Sequence, residues 1–230
     1  QSLIDGNPAS FTALFAWLAV FLVHRGKDRA AGICLTLSTM KPQMVILFCL
    51  LVWLWAISNR RWLIITYSVL TMSILIGSSF ILFPGWLEAF IGQIVSYRGI
   101  ASPSTPAAIL PYWLPERTAQ AAAASLNVIS LGVIVWGWSR CWKKGVHLLL
   151  WAASLTFVLM PLTGITSAKS NYTAMLPALV LVIHTAWETI ERRNVITASL
   201  LAALPVSWMV FLIGREQVYF VDFYPLPVIL

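Results

Sequence analysis

Charge is scarce in this sequence. Only 10% of the 230 residues are Asp, Glu, Lys or Arg, against about 25% in a soluble domain. Acid is scarcer still, with 8 Asp and Glu facing 15 Lys and Arg. A chain that is 60% hydrophobic with a mean hydropathy of +0.84 is excluded as a water-soluble globule. It is equally excluded as a disordered segment, because disorder needs low hydrophobicity. Three cysteines occur, Cys34, Cys49 and Cys141. They form no CxxC pair and no metal-ligand spacing, so they are read as packing residues rather than a disulfide framework. The sequence also lacks a P-loop, GxGxxG and HExxH, so nothing signals a nucleotide, metal or nucleophile site and no cofactor is expected. No signal peptide is visible. The net charge of +7 would suggest nucleic acid in a soluble protein. Here the positives gather in short knots between apolar runs and report topology, so no nucleic-acid partner is expected.

What the sequence has in abundance is long apolar runs, three of them 19–22 residues, the length a helix needs to cross a bilayer. They cover 11–23, 30–56 (interrupted), 62–83, 118–138, 147–162, 172–187 and 195–213. Trp53, Trp62, Trp86 and Trp142 lie at segment ends, where interfacial aromatic belts form. The fold expected is all-α: a polytopic transmembrane helical bundle, with residues 1–230 as a single membrane domain. The chain starts at Gln1 and ends in an apolar run at Leu230. It is therefore expected to be a fragment, lacking an N-terminal part and further helices.

The segment 30–56 decides the topology, because Lys41-Pro42 interrupts it. As one span, it would divide the loop Lys and Arg seven against seven and strand Lys41 in mid-membrane. As a hairpin, it puts the knots at 24–29, 58–61, 139–144 and 191–193 on one side, ten basic residues against five with Lys41 among the five. The positive-inside rule prefers the hairpin, and Pro42 disfavours helical geometry at Lys41. The arms, 30–40 and 43–56, would rise about 16 Å and about 21 Å, short of the roughly 30 Å hydrocarbon core. A re-entrant helical hairpin follows, its Lys41-Pro42-Gln43 tip facing a cavity open to the non-cytoplasmic side. An ionisable residue at that depth is a functional candidate; the alternative is that Lys41 snorkels to the interface.

The non-cytoplasmic side then holds two kinds of chemistry. Lys41, Arg98, Lys169 and Arg215 could pair with phosphate or pyrophosphate. Asn7, Gln43, Asn171, Tyr172 and the tryptophans could hydrogen-bond and stack on a sugar, a pairing that suits a sugar–phosphate lipid better than an ion. The loop 84–117 contains an amphipathic helix expected over 86–97, with Trp86, Phe90, Ile91 and Ile94 at helical spacing, expected to lie along the membrane surface. The rest of that loop is read as a lid or a passive connector. His24, His147 and His184 fall at the cytoplasmic end or within spans. Helix-interior acids are missing, which argues against an ion-coupled carrier.

These residues carry a resemblance. The stretch Arg25-Gly-Lys-Asp-Arg-Ala-Ala-Gly-Ile-Cys-Leu-Thr-Leu-Ser-Thr-Met-Lys-Pro-Gln43, then Asn59-Arg-Arg-Trp62 and Leu82-Phe-Pro-Gly-Trp86, resembles glycosyltransferase family 87, the mannosyltransferase-related membrane enzymes of the GT-C superfamily. Gly6-Asn7, and Ser170-Asn-Tyr172 leading into Met175-Leu-Pro-Ala178, are similar in order and spacing.

The resemblance implies a GT-C-like bundle and an inverting hexosyltransferase, with a polyprenyl-phosphate sugar donor and a lipid-linked or glycan acceptor. It places the reaction on the non-cytoplasmic face and implies a carboxylate general base in a loop expected upstream of Gln1. Asp5 lies on that face but is not matched to the base. Substrate-binding candidates are Lys41, Gln43, Lys169, Asn171, Tyr172 and Asn7, with Lys41 first and Lys169 second as cations stabilising the phosphate leaving group. Other partners expected are membrane lipids, and the expected location is a bacterial plasma membrane, multi-pass. The alternative from a different class is a non-catalytic lipid-sugar transporter or flippase, which would use the same cavity without a base. A third is a structural membrane subunit, which a sealed outer face would favour.

Overall fold

The computed structural model describes residues 8–92, 105–165 and 173–189. All regular structure among them is helical: α1 (Ala9–His24), α2 (Asp28–Leu37), α3 (Pro42–Ser58), α4 (Trp62–Leu82), α5 (86–92), α6 (Pro106–Ile109), α7 (Glu116–Cys141), α8 (Val146–Leu159) and α9 (Leu176–Thr189). Short 3₁₀ turns follow α2 (Ser38–Met40), α6 (Leu110–Tyr112) and α8 (Met160–Leu162). The apolar stretch 195–213 lies outside the described residues.

Among the described residues two helices, α4 and α7, are long and apolar enough to cross a membrane. Only 11% and 17% of their most apolar stretches are buried, so neither is the core helix of a soluble protein. The other apolar helices are shorter than a full span, with α1 at 16, α3 at 17, α8 at 14 and α9 at 14 residues. Proline and 3₁₀ turns end several of them early: Lys41-Pro42 separates α2 from α3, and Pro161 sits in the turn that closes α8.

The stretch 30–56 folds back on itself. Asp28, at the start of α2, pairs with Arg61, three residues beyond the end of α3. A continuous rod would hold those two residues far apart, so both ends of the stretch share one end of the molecule. Two turns of the same kind set this up. After α1, Lys27 N–H bonds Leu22 C=O (2.9 Å) and Gly26 N–H bonds Val23 C=O (3.1 Å). After α3, Arg61 N–H bonds Ala56 C=O (2.8 Å) and Arg60 N–H bonds Ile57 C=O (3.1 Å). This is the Schellman closure, which satisfies the last carbonyls of a helix through one left-handed residue. Gly26 fills that position in the first turn and Arg60 (φ 56°) in the second.

The third knot joins the same end. Trp55 Nε1 donates to the Lys144 carbonyl (2.9 Å), Lys143 N–H donates to Ser58 Oγ (3.1 Å), and the rings of His24 and His147 meet at 5.7 Å. Eight of the ten Lys and Arg among the described residues therefore lie at one end of the bundle: Arg25, Lys27, Arg29, Arg60, Arg61, Arg140, Lys143 and Lys144. Lys41 and Arg117 are the exceptions. The fourth knot, 191–193, lies outside the described residues.

The core is built on small residues. α1 buries Ala9, Ala13, Ala16 and Ala19 along with Val20 and Val23, and α2 presents Ala31 and Gly32. Where lipid tails are as apolar as the side chains, close backbone approach replaces the hydrophobic effect as the source of packing. Gly32 shows the demand directly. A Cβ there would strike the Ile64 carbonyl oxygen and come within 2.9 Å of Ser68 N. Phe48 stacks on Phe157 (4.9 Å), which also meets Trp17 (5.4 Å), so one aromatic layer ties α1, α3 and α8 together.

Candidate active site at the helical fold-back

Lys41 occupies the break between the 3₁₀ turn and α3. Its backbone (φ −127°, ψ 80°) leaves the helical region, and Pro42 starts α3 at the first helical position, where proline's missing N–H costs nothing. Ten residues of α2 and three of the 3₁₀ turn carry Lys41 about 21 Å from the basic end. α4 starts beside α2 and has 21 residues, about 31 Å. The fold-back therefore stops about 10 Å short of the far end of α4.

Hydroxyl groups hold the tip. Thr36 Oγ1 donates to the Ser68 carbonyl of α4 (2.8 Å), and Ser68 Oγ also lies 3.3 Å from Trp53 Nε1. Ser38 Oγ donates to Leu35 C=O (2.6 Å) and Thr39 Oγ1 to Thr36 C=O (2.7 Å). These bonds satisfy polar atoms that would be expensive to leave unpaired in an apolar setting, and the one from Thr36 fixes the end of α2 against α4. The signal was in the sequence as Thr36-Leu-Ser-Thr39, a hydroxyl cluster inside an apolar run, but its role as an anchor was not read from it.

Two features meet at the tip. Lys41 and Gln43 are both half-buried. Both flank the N-terminus of α3, whose dipole adds positive potential there; Pro42 has no N–H to offer, and the Met44 N–H already bonds the Lys41 carbonyl (2.9 Å). A phosphate is the ligand such an arrangement suits. Beside the tip runs a groove of about 480 Å³ between α2, α3 and α4. Leu35, Ile46, Leu50, Val69 and Met72 make it apolar, while Thr36, Thr39 and Ser73 add hydroxyls. A cationic tip next to an apolar groove is complementary to a lipid with a phosphate head.

α8 also stops short of the far end. Its closing turn reaches Gly164, whose left-handed φ of 77° suits glycine. A Cβ at Gly164 would lie 2.7 Å from Asn127 Nδ2, in the middle of α7. The Ala174 carbonyl accepts from Trp17 Nε1 of α1 (2.9 Å). Lys169, Asn171 and Tyr172 fall between these anchors and lie outside the described residues, as do Asn7, Arg98 and Arg215. Of the six substrate-binding candidates the described residues thus include Lys41 and Gln43, neighbours at one helix start. Among the described residues, His, Cys, Asp and Glu form no group of three that could hold a metal ion. The helix expected over 86–97 is present over 86–92, with Trp86 against Phe80 (5.5 Å) and Phe90 (5.9 Å); its remainder lies outside the described residues.

No curated protein and no solved structure matches the chain. A family profile does: Glycosyltransferase family 87 matches residues 1–163, a range that contains the fold-back, its hydroxyl anchors and the groove. The chain belongs to glycosyltransferase family 87, and with that family come glycosyl transfer and the need for a sugar donor and an acceptor.

Proposed function

We propose that this chain is a polytopic membrane enzyme of the GT-C kind, transferring a hexose such as mannose from a polyprenyl-phosphate donor with inversion. The acceptor is a lipid-linked sugar or glycan on the face opposite the basic end, and the membrane is a bacterial plasma membrane. The single observation that carries the reading is the tip: Lys41 stands at the N-terminus of α3 and beside an apolar groove. In the reaction the acceptor hydroxyl gives its proton to a carboxylate general base and its oxygen attacks the anomeric carbon as the bond from that carbon to the phosphate oxygen breaks. Negative charge grows on the departing lipid phosphate. The Lys41 ammonium and the α3 N-terminus are set to stabilise that charge in a low-dielectric place, where such groups act most strongly. Gln43 offers an amide to the same phosphate or to a sugar hydroxyl. The groove receives the first isoprene units of the donor tail.

Lys169, Asn171 and Tyr172 complete the donor site in this reading, and Asn7 the acceptor side. Their support is the sequence. Tyr172 stands two residues before Ala174, which α1 anchors through Trp17. The eight cations at one end support cytoplasmic placement of that end.

Replacing Lys41 by Ala or Gln in the full-length protein tests the role. Transfer from a polyprenyl-phosphate hexose should fall about 10²–10³-fold, the loss typical of one removed transition-state donor, with expression unchanged. Wild-type turnover in that variant overturns the assignment. Arg140→Gln should leave turnover intact; a large loss there would invert the sidedness.

A further inference from the structure

A second apolar recess lies at the basic end, on the opposite side of the aromatic layer from the Lys41 tip. A crevice of about 320 Å³ separates α1 from α8. Trp17, Val20, Val146 and Leu150 give it apolar walls, and His24 and His147 stand at its mouth with their rings edge to face at 5.7 Å. Phe21 also lines it and is half exposed, and the Arg25 guanidinium sits 5.1 Å above the Phe21 ring. Two imidazoles thus border the crevice, and one guanidinium lies over the Phe21 ring that lines it. In the three described basic turns the sole acid is Asp28, and Arg61 already engages it. The mouth is left with an excess of positive charge and N–H donors above an apolar slot.

We propose that this crevice seats one anionic phospholipid of the surrounding bilayer, its phosphate on Arg25, His24 and His147 and the start of one acyl chain along Trp17, Val20, Val146 and Leu150. Charge complementarity selects the occupant. Basic pockets between helices at the positively charged face of membrane proteins bind anionic head groups. Free phosphate would leave the apolar walls unused. A zwitterionic lipid would bring an ammonium towards Arg25 and the Lys143–Lys144 turn that leads into α8. The site rests on the membrane reading and is independent of the sugar-transfer reading.

The test titrates the detergent-purified chain with dioleoylphosphatidylglycerol or dioleoylphosphatidylcholine, reading retained lipid by native mass spectrometry and the shift in Tm. The glycerol lipid should bind more tightly and raise Tm, as a ligand of the folded state must. Arg25→Gln with His147→Gln should weaken it about fivefold or more for the lost charge alone. Arg60→Gln, at the same end but away from the crevice, should not. Equal binding of the two lipids, an equal loss in Arg60→Gln, or displacement by glycerol phosphate at lipid-like concentrations overturns the site. If the double variant does not fold, a photoactivatable acyl chain on phosphatidylglycerol applied to the unmodified protein decides. Crosslinks in 17–21 and 146–150 support the site, and crosslinks confined elsewhere overturn it. Release of the chain from membranes by alkaline carbonate would sink the membrane reading itself, whereas retention with equal lipid binding sinks this site alone.

Discussion

The two halves of α4 are alike in composition and opposite in surroundings. From Ile64 to Ser68 the helix is pressed against α2, with Ile64 and Ser68 buried, Gly32 at van der Waals limits, and Thr36 bonded to the Ser68 carbonyl. From Ile74 onward α2 no longer covers it, and Ile81 reaches 82% exposure. Nothing in the residues of α4 marks this change. It happens because the fold-back beside α4 ends at Lys41. The comparison teaches that a half-length hairpin does two jobs at once. It packs the near half of its neighbour, and by stopping early it leaves Lys41 and the start of α3 beside the part of α4 that α2 does not cover.

The sharpest break of this contrast is chemical: Lys41→Ala should remove transfer while the near half of α4 stays packed, read as lost turnover with unchanged Tm. Next in size is Gly32→Val. The added side chain must push α2 off the Ile64 carbonyl, and such overpacking should cost about 3 kcal/mol, read as a lower Tm in detergent; an unchanged Tm would mean that the near half is not tightly packed. Arg61→Gln comes third. It unties Asp28 and the Val23 carbonyl, to which Arg61 Nη1 donates at 3.0 Å. A hydrogen-bonded charge of this kind is worth about 1.5 kcal/mol, taken at the low end because both side chains are partly open to solvent. The smallest effect sharpens the other side of the comparison: Ile81→Ala should change stability by less than about 0.5 kcal/mol, and a larger loss would show that something covers the far half of α4.

Much of this was legible in the chain. The fold-back followed from a charge count and one proline, because lipid forbids a scattered distribution of Lys and Arg and because Pro42 interrupts a helix. The tip residues Lys41 and Gln43 followed with it. The clamp of Asp28 by Arg61 did not, since the two residues are 33 apart and a pairing at that separation has no local signature. The meeting of His24 with His147 was hidden for the same reason. Their placement at one end could be read, but their contact depends on how α1 packs on α8. The hydroxyl anchors were visible as letters and silent as geometry, because Thr36 could have bonded its own helix as Thr39 does.

What the sequence by itself determined is the apolar character, the gathering of the cations at one end and the break. Each depends on single-residue properties, namely hydropathy, charge and proline's missing N–H, which act wherever the chain goes. Only the tertiary structure decided how deep the tip reaches, which groove lies beside it and which cations share a mouth. Those are distances between helices, set by whether a Cβ fits at Gly32 and which carbonyl a threonine finds, and close packing resolves them only when all the helices are present together.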